Sequence, residues 1–415
     1  MMLRAFLVAI VALFGVPALA APNVGRPAPV APPPAPMMFY VVKGAPDTCG
    51  RGCDSWIAVE GQVDGAAALR FKKFLQQVGN RDLPIYLASP GGNLDQALAM
   101  GTMLRERRAT ARIGRTVVNE CGFEAQDSAA CLKLKQSGRM LRGDLFTRGA
   151  NCNSACPYLL LGATNREVAP DALLAVHSAK VVVYFRGDVP PPAEVRAAAN
   201  QRGRERADRM LSAYIVRMGV DIGLFELARS IKFENQHVLT REEIVRFGID
   251  RREIAETPWK FENSVRSMVS KAAVVREEGG KSWRLSQWRI ICSSNEQFEL
   301  NFQRPALTAS ATSPTVALSG VGPAVQHFNW PPAKVQGYEI WALRMTRASV
   351  QGLANLPQFE FTESVQAADG RRVGRAAKFS TEGLAGALVT LAATCPPPKN
   401  VVLRQTVDAQ DSAAK

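Results

Sequence analysis

The sequence predicts an α/β domain followed by a smaller β-rich domain. Three observations carry this. Between about residues 38 and 118, short apolar strands alternate with amphipathic helices, the pattern of a layered α/β unit. Helical periodicity fades after Val275, and short alternating runs separated by turn residues take over. A chain of 415 residues, 47% hydrophobic, is long and apolar enough to build two cores.

In chain order, residues 1–21 read as an export signal. Arg4 supplies the positive charge, Ala5 to Val16 the apolar stretch, and Ala18-Leu19-Ala20 the small residues of a cleavage site. Residues 22–36 form a proline-rich tether. The α/β domain is expected over 37–255. It opens with apolar strand Met38 to Val42 and alternating strand Trp56 to Glu60, then a helix over Ala66 to Val78. Strand 83–88 closes on Ser89-Pro90-Gly91-Gly92. The next helix, about Leu94 to Arg107, carries Leu94, Ala97, Leu98, Gly101 and Leu104 on one face with Asn93 as N-cap. Ala111 to Val118 reads as one further strand, and 119–150 as an inserted, disulfide-closed loop.

Cys152-Asn153-Ser154-Ala155-Cys156 then makes a small-residue turn into an apolar helix. Strand 172–177 ends in His177. After a proline-rich break, helix 193–218 shows Met210, Leu211, Tyr214, Ile215 and Met218 on one face and arginines opposite. Thr240 and Glu243 form a capping box. The β-rich domain is expected over 256–398, with Ala387 to Leu391 among its short strands, and 399–415 as a disordered tail.

Eight cysteines, an even number in an exported chain, point to disulfides. Proximity suggests Cys49–Cys53, Cys121–Cys131, Cys152–Cys156 and Cys292–Cys395, although neighbouring cysteines allow other pairings. No histidine clusters with them, so neither a metal nor another cofactor is indicated. The net charge of +14 comes without zinc-finger spacing, aromatic-basic motifs or lysine runs, which argues against a nucleic-acid partner. No run after the signal is long and apolar enough to span a membrane, so the expected location is periplasmic or secreted.

A serine becomes a nucleophile only when a base takes its proton. The chain has three histidines, 177, 237 and 327, and only His177 ends a buried strand in the same unit as Ser154. Gly92, after a strand, and Ala155, at a helix start, can aim backbone N–H groups at a developing oxyanion.

This ordered set resembles the Clp protease proteolytic subunit and, more widely, the ClpP/crotonase superfamily, over about residues 55–255. The residues that carry the resemblance are Ser-Pro-Gly-Gly-x-Leu before a helix, a small-residue Ser turn, an apolar strand ending in His, and His237-Val-Leu-Thr-x-Glu-Glu-Ile-x-x-Phe-Gly-Ile. The signal, the cysteine-framed Ser turn and the disulfide loop resemble exported ClpP-like proteins of proteobacteria. The resemblance implies a ClpP/crotonase-like spiral β-α fold with Ser154 as nucleophile, His177 as base, and Gly92 and Ala155 as oxyanion donors. It implies a peptide or protein substrate, and it leaves a homo-oligomer open because helix 193–218 lies where the family places a ring-forming element. The chain departs from the pattern at the triad acid, where Gln236 stands after Asn235. An amide can orient an imidazole but cannot stabilise an imidazolium as a carboxylate does. Asp221 or Glu234 as the acid, or Lys180 as base of a Ser–Lys dyad, are the alternatives. The sequence thus predicts an exported serine hydrolase, foremost a peptidase. The second reading is an inactive ClpP-like scaffold or binding protein of the cell envelope.

Overall fold

A seven-stranded sheet, a three-stranded sheet and the helices packed on them build the N-terminal part. The computed structural model describes residues 35–181, 183, 185, 191–263, 266–277, 282–294, 296–306, 312–321, 324–366 and 371–396. The expected export signal, all but the last two residues of the tether, and the C-terminal tail lie outside the described residues. The described residues form one compact unit.

In order come β1 (Met38–Lys43), β2 (Ser55–Glu60), α1 (Ala67–Val78), β3 (Ile85–Ala88), α2 (Leu94–Glu106), β4 (Thr110–Ile113) and β5 (Arg115–Val118). Then follow α3 (Ala129–Lys135), β6 (Leu141–Phe146), β7 (Asn151–Asn153), α4 (Cys156–Gly162), β8 (Asn165–Glu167) and β9 (Leu173–Val176). Helices α5 (Ala193–Arg217) and α6 (Gly223–Ser230), strand β10 (His237–Val238) and helix α7 (Arg241–Arg246) complete this part. The main sheet runs β5-β6-β1-β2-β3-β4-β8, with β2, β3, β4 and β8 parallel to one another. Strand β2, fully buried from Trp56 onward, lies at its centre, as a strand apolar on both faces must. A second sheet, β10-β9-β7, carries the cysteine-framed serine. Asn93 and Thr240 cap α2 and α7 through their side chains, and the capping box with Glu243 forms.

Two expectations are corrected here. Ala111 to Val118 is not one strand: Gly114 breaks it into β4 and β5, where a Cβ would stand 2.7 Å from the Tyr86 ring. Residues 119–150 are not simply an inserted loop. Within them, Leu141, Gly143 and Leu145 face inward while Arg142 and Asp144 stay exposed, and the resulting strand β6 joins the main sheet between β5 and β1. An Arg-Gly-Asp string that reads as a turn is therefore a half-buried strand.

The C-terminal part contributes β11 (Ile254–Glu256), β12 (Lys260–Asn263), β13 (Ser267–Arg276), β14 (Trp283–Ser294), β15 (Gln297–Pro305), β16 (Thr315–Ser319) and β17 (Gln326–His327). It continues with β18 (Ala333–Val335), β19 (Tyr338–Thr346), α8 (Arg347–Asn355), β20 (Gln358–Gln366), β21 (Arg372–Ser380) and α9 (Leu384–Thr394). Its core is aromatic: Phe302, Phe359 and Phe361 stand 4.6, 5.2 and 4.6 Å from the Trp288 ring. Residues 387–391 are helical, not a strand. Leu384, Ala387, Leu388 and Leu391 are the buried positions, spaced i, i+3, i+4 and i+7 in an alanine-rich segment. The chain is thus mixed α/β with several sheets.

The four cysteine pairs 49–53, 121–131, 152–156 and 292–395 are disulfides in the structure. Among the described residues no helix is long and apolar enough to cross a membrane.

Candidate functional site

The site begins with a backbone conformation. Ser154 has φ of 60°, a left-handed value that costs an L-residue roughly 1–2 kcal/mol. The conformation arises where β7 must turn at once into α4. The Cys152–Cys156 disulfide ties the two ends of that turn, with Cα atoms 5.1 Å apart. The Ser154 N–H donates to the Ala175 carbonyl at 3.0 Å. A serine on a strained strand-to-helix turn presents its hydroxyl outward, as a nucleophile elbow does. Among the described residues the hydroxyl has no hydrogen-bond partner, and the residue is half-buried.

The glycine pair is seated on this turn. Ser89 is buried, its N–H bonded to the Asn151 carbonyl at 2.8 Å and its carbonyl accepting from Asn153 at 3.0 Å. Its hydroxyl accepts the Gly91 N–H at 3.1 Å. A Cβ on Gly91 would stand 2.5 Å from Ser154 Cβ and 2.8 Å from the Ala155 nitrogen, so only glycine fits. Val63 donates to the Gly91 carbonyl at 2.8 Å and accepts from Asn93 at 2.7 Å, which turns the intervening Gly92 N–H away from Val63. Neither the Gly92 nor the Ala155 N–H has an acceptor among the described residues. Both remain free to stabilise an anion.

The histidine lies one strand over. Asn153 pairs with Ala175 in the parallel β7–β9 ladder, and His177 follows β9 directly. Its Nδ1–H donates to the Ser178 carbonyl, 2.8 Å away, and Phe233 packs edge-on with ring centroids 4.9 Å apart. With Nδ1 protonated, the neutral ring keeps its lone pair on Nε2, the tautomer a general base needs.

The third position is occupied but not engaged. His237 faces Val176 across the antiparallel β9–β10 ladder, so one step along that register Gln236 lies opposite His177. Gln236 is exposed and makes no hydrogen bond to His177. The alternative acids are placed elsewhere: Asp221 accepts the Gly223 N–H at 2.7 Å, and Glu234 is exposed. The Lys180 ammonium sits 5.5 Å from the Phe233 ring centre. The histidine that does meet a carboxylate is His237, whose Nε2 lies 2.8 Å from Glu243. Burial works against the Glu243 charge, but the Thr240 N–H and His237 hold its pKa below the usual range.

A cavity of about 400 Å³ adjoins His177, lined also by Tyr158, Leu211, Phe225, Arg204 and Asp208. Ser154 is not in its lining. The Tyr158 hydroxyl is buried without a partner among the described residues, and burial pushes its pKa well up. Asn153 Oδ1, beside the serine, is likewise buried and unpartnered. Sequence reading passed over three contributors. The Ser89 hydroxyl was legible as a Ser-x-Gly turn closure. The Ser178 carbonyl leaves no trace in sequence, because a backbone oxygen carries no residue identity. The unpaired Tyr158 hydroxyl reads simply as part of the apolar helix. Among the described residues no group of three or more His, Cys, Asp or Glu is placed to hold a metal ion.

No protein-family model matches the chain, and no curated protein does. Among solved structures it is similar to the 1510-N membrane-bound stomatin-specific protease in a serine-to-alanine mutant. The identity is 15% and the TM-score 0.28, over 46% of this chain and 75% of that one. The same protease as a lysine-to-alanine mutant in complex with a substrate peptide gives 15% and 0.27, over 46% and 71%. Invasion associated protein B from Bartonella henselae gives 14% and 0.26, over 33% and 92%.

Proposed function

We propose that the chain is an exported serine hydrolase, foremost a peptidase, built on a ClpP-like α/β part with an appended β-rich part. The observation that carries this is the left-handed Ser154 on its disulfide-tied turn, with two N–H groups beside it unbonded among the described residues and His177 directly after the neighbouring strand. Ser154 Oγ attacks a substrate carbonyl while His177 Nε2 takes its proton. The Gly92 and Ala155 N–H groups bind the oxyanion. The protonated His177 then delivers the proton to the leaving amine, and water reverses the sequence to release the acyl group. Orientation of the imidazole comes from the Ser178 carbonyl. A neutral carbonyl stabilises the imidazolium less than a carboxylate does, so turnover is expected to be slow. The four disulfides are compatible with an oxidising, periplasmic or extracellular location.

A fluorophosphonate probe tests the reading. It should label the oxidised protein at Ser154, and Ser154→Ala should remove the label. Failure of the oxidised wild-type protein to label would sink the enzyme reading. That failure would leave the second reading, an inactive ClpP-like scaffold of the envelope, which the lack of a carboxylate on His177 favours.

A further inference from the structure

A second cavity, about 110 Å³, lies between the two parts of the chain, and neither Ser154 nor His177 lines it. Strands β3, β4 and β8 line one side; β11, β12, β13 and the turn into α9 line the other. It collects more ionisable side chains than the His177 cavity, and most of them are spent. Arg112 and Arg252 both pair with Glu167, at 3.0 and 3.1 Å. Lys271, completely buried, pairs with Glu256 at 2.8 Å and donates to the Ser380 carbonyl at 2.8 Å.

Two are not spent. Lys260 has no carboxylate within ion-pair distance among the described residues; its ammonium stands 4.3 Å from the centre of the Phe146 ring. The Glu382 carboxylate has neither a hydrogen bond nor an ion pair there. Each is half-buried. Burial lowers the Lys260 pKa to about 8, against the pull of Asp144 and Asp171. Burial likewise raises that of Glu382, although Arg112 and Lys271 oppose it. A half-buried charge with neither a hydrogen bond nor an ion pair is incompletely solvated, and this cavity keeps one of each sign. They do not satisfy each other, since no ion pair forms between them.

We propose that this cavity binds a small zwitterion of the amino-acid class, its carboxylate on Lys260 and its ammonium on Glu382. A single bound anion or cation would answer one orphan charge and leave the other. A molecule bearing both answers the two together. Size narrows the class. At ~30 Å³ per water the space holds roughly four waters, or about five or six non-hydrogen atoms, which is the size of glycine or alanine. The site is separate from Ser154 and His177, neither of which lines it. Because its walls come from both parts of the chain, an occupant would brace one against the other.

Isothermal titration calorimetry of the full oxidised chain tests this, with glycine, alanine, acetate, methylamine and tryptophan as titrants. Glycine or alanine should bind, with acetate and methylamine at least tenfold weaker (~1.4 kcal/mol). Tryptophan should give no saturable heat. Lys260→Ala and Glu382→Gln, each checked for native circular dichroism and intact disulfides, should weaken amino-acid binding at least tenfold. Ser154→Ala should leave it unchanged. Absence of binding by either small amino acid in the wild-type chain overturns the proposal, as does acetate or tryptophan binding as tightly as alanine. Should Lys260→Ala fail to fold, the wild-type comparison of titrants still decides.

Discussion

The Nδ1–H of His177 donates to the carbonyl oxygen of Ser178, 2.8 Å away. In a Ser–His–acid triad that proton belongs to a carboxylate, and losing the acid costs ~10⁴ in kcat. Here the main chain holds the ring, and Gln236, opposite in register, makes no hydrogen bond to it among the described residues. Gln236→Ala should therefore change the second-order rate of fluorophosphonate labelling by no more than about threefold, far from the triad figure. A drop of a hundredfold or more in that rate would show that Gln236 engages His177 and that the Ser178 carbonyl is not the orienting group.

Ser154 is held at φ of 60° while its hydroxyl makes no hydrogen bond among the described residues, so its side chain adds strain without a hydrogen bond to offset it. Strain that no side-chain hydrogen bond offsets is expected where function requires it. Glycine adopts this conformation without the Cβ penalty of roughly 1–2 kcal/mol, offset by ~0.5–1 kcal/mol of its own backbone entropy. Ser154→Gly should raise the urea midpoint, by about 0.5–1 kcal/mol in stability, and abolish labelling. Ser154→Ala should abolish labelling with no such gain. A glycine variant less stable than the alanine variant contradicts the claim that the turn is strained.

How far the sequence revealed this arrangement depends on the range of the interactions involved. Features set within a few residues were readable. The Asn93 and Thr240 caps, the Ser-x-Gly closure at Ser89 and the three short-range disulfides all follow from residue types at fixed spacing. Strand β6 was hidden because its alternation runs through Arg142-Gly143-Asp144, a string with stronger turn than strand character. Helix α9 was hidden because a short apolar run fits both a buried strand and a helix. The left-handed angle at Ser154 was unreadable, since serine has no preference for it and the neighbours impose it. The charged cavity was unreadable for another reason. Arg112 and Glu167 are 55 residues apart, and Lys260 meets Phe146 from across the two parts of the chain.

That last contact makes a prediction about pH. The ordinary lysine pKa is 10.5, and burial brings Lys260 down to about 8 in the folded chain. Asp144 and Asp171 pull it back up, while Arg115 pushes it further down. Below pH 8 both folded and unfolded chains hold the proton, and the folded state bears the whole cost of the buried ammonium. Between about pH 8 and 10.5 the unfolded chain still binds a proton that the folded chain has released. Stability contributed by this site therefore rises with pH across that window. Lys260→Met removes both the cost and the rise. In urea melts without added amino acid, the variant should be more stable than wild type at pH 7, and the gap should close by pH 10.5. Taking the difference between the two proteins cancels Lys271, which burial also shifts downward in both. A gap that stays constant with pH, or a variant less stable at pH 7, would mean that the Lys260 ammonium is already well solvated or paired, and the orphan charge behind the zwitterion site would be gone with it.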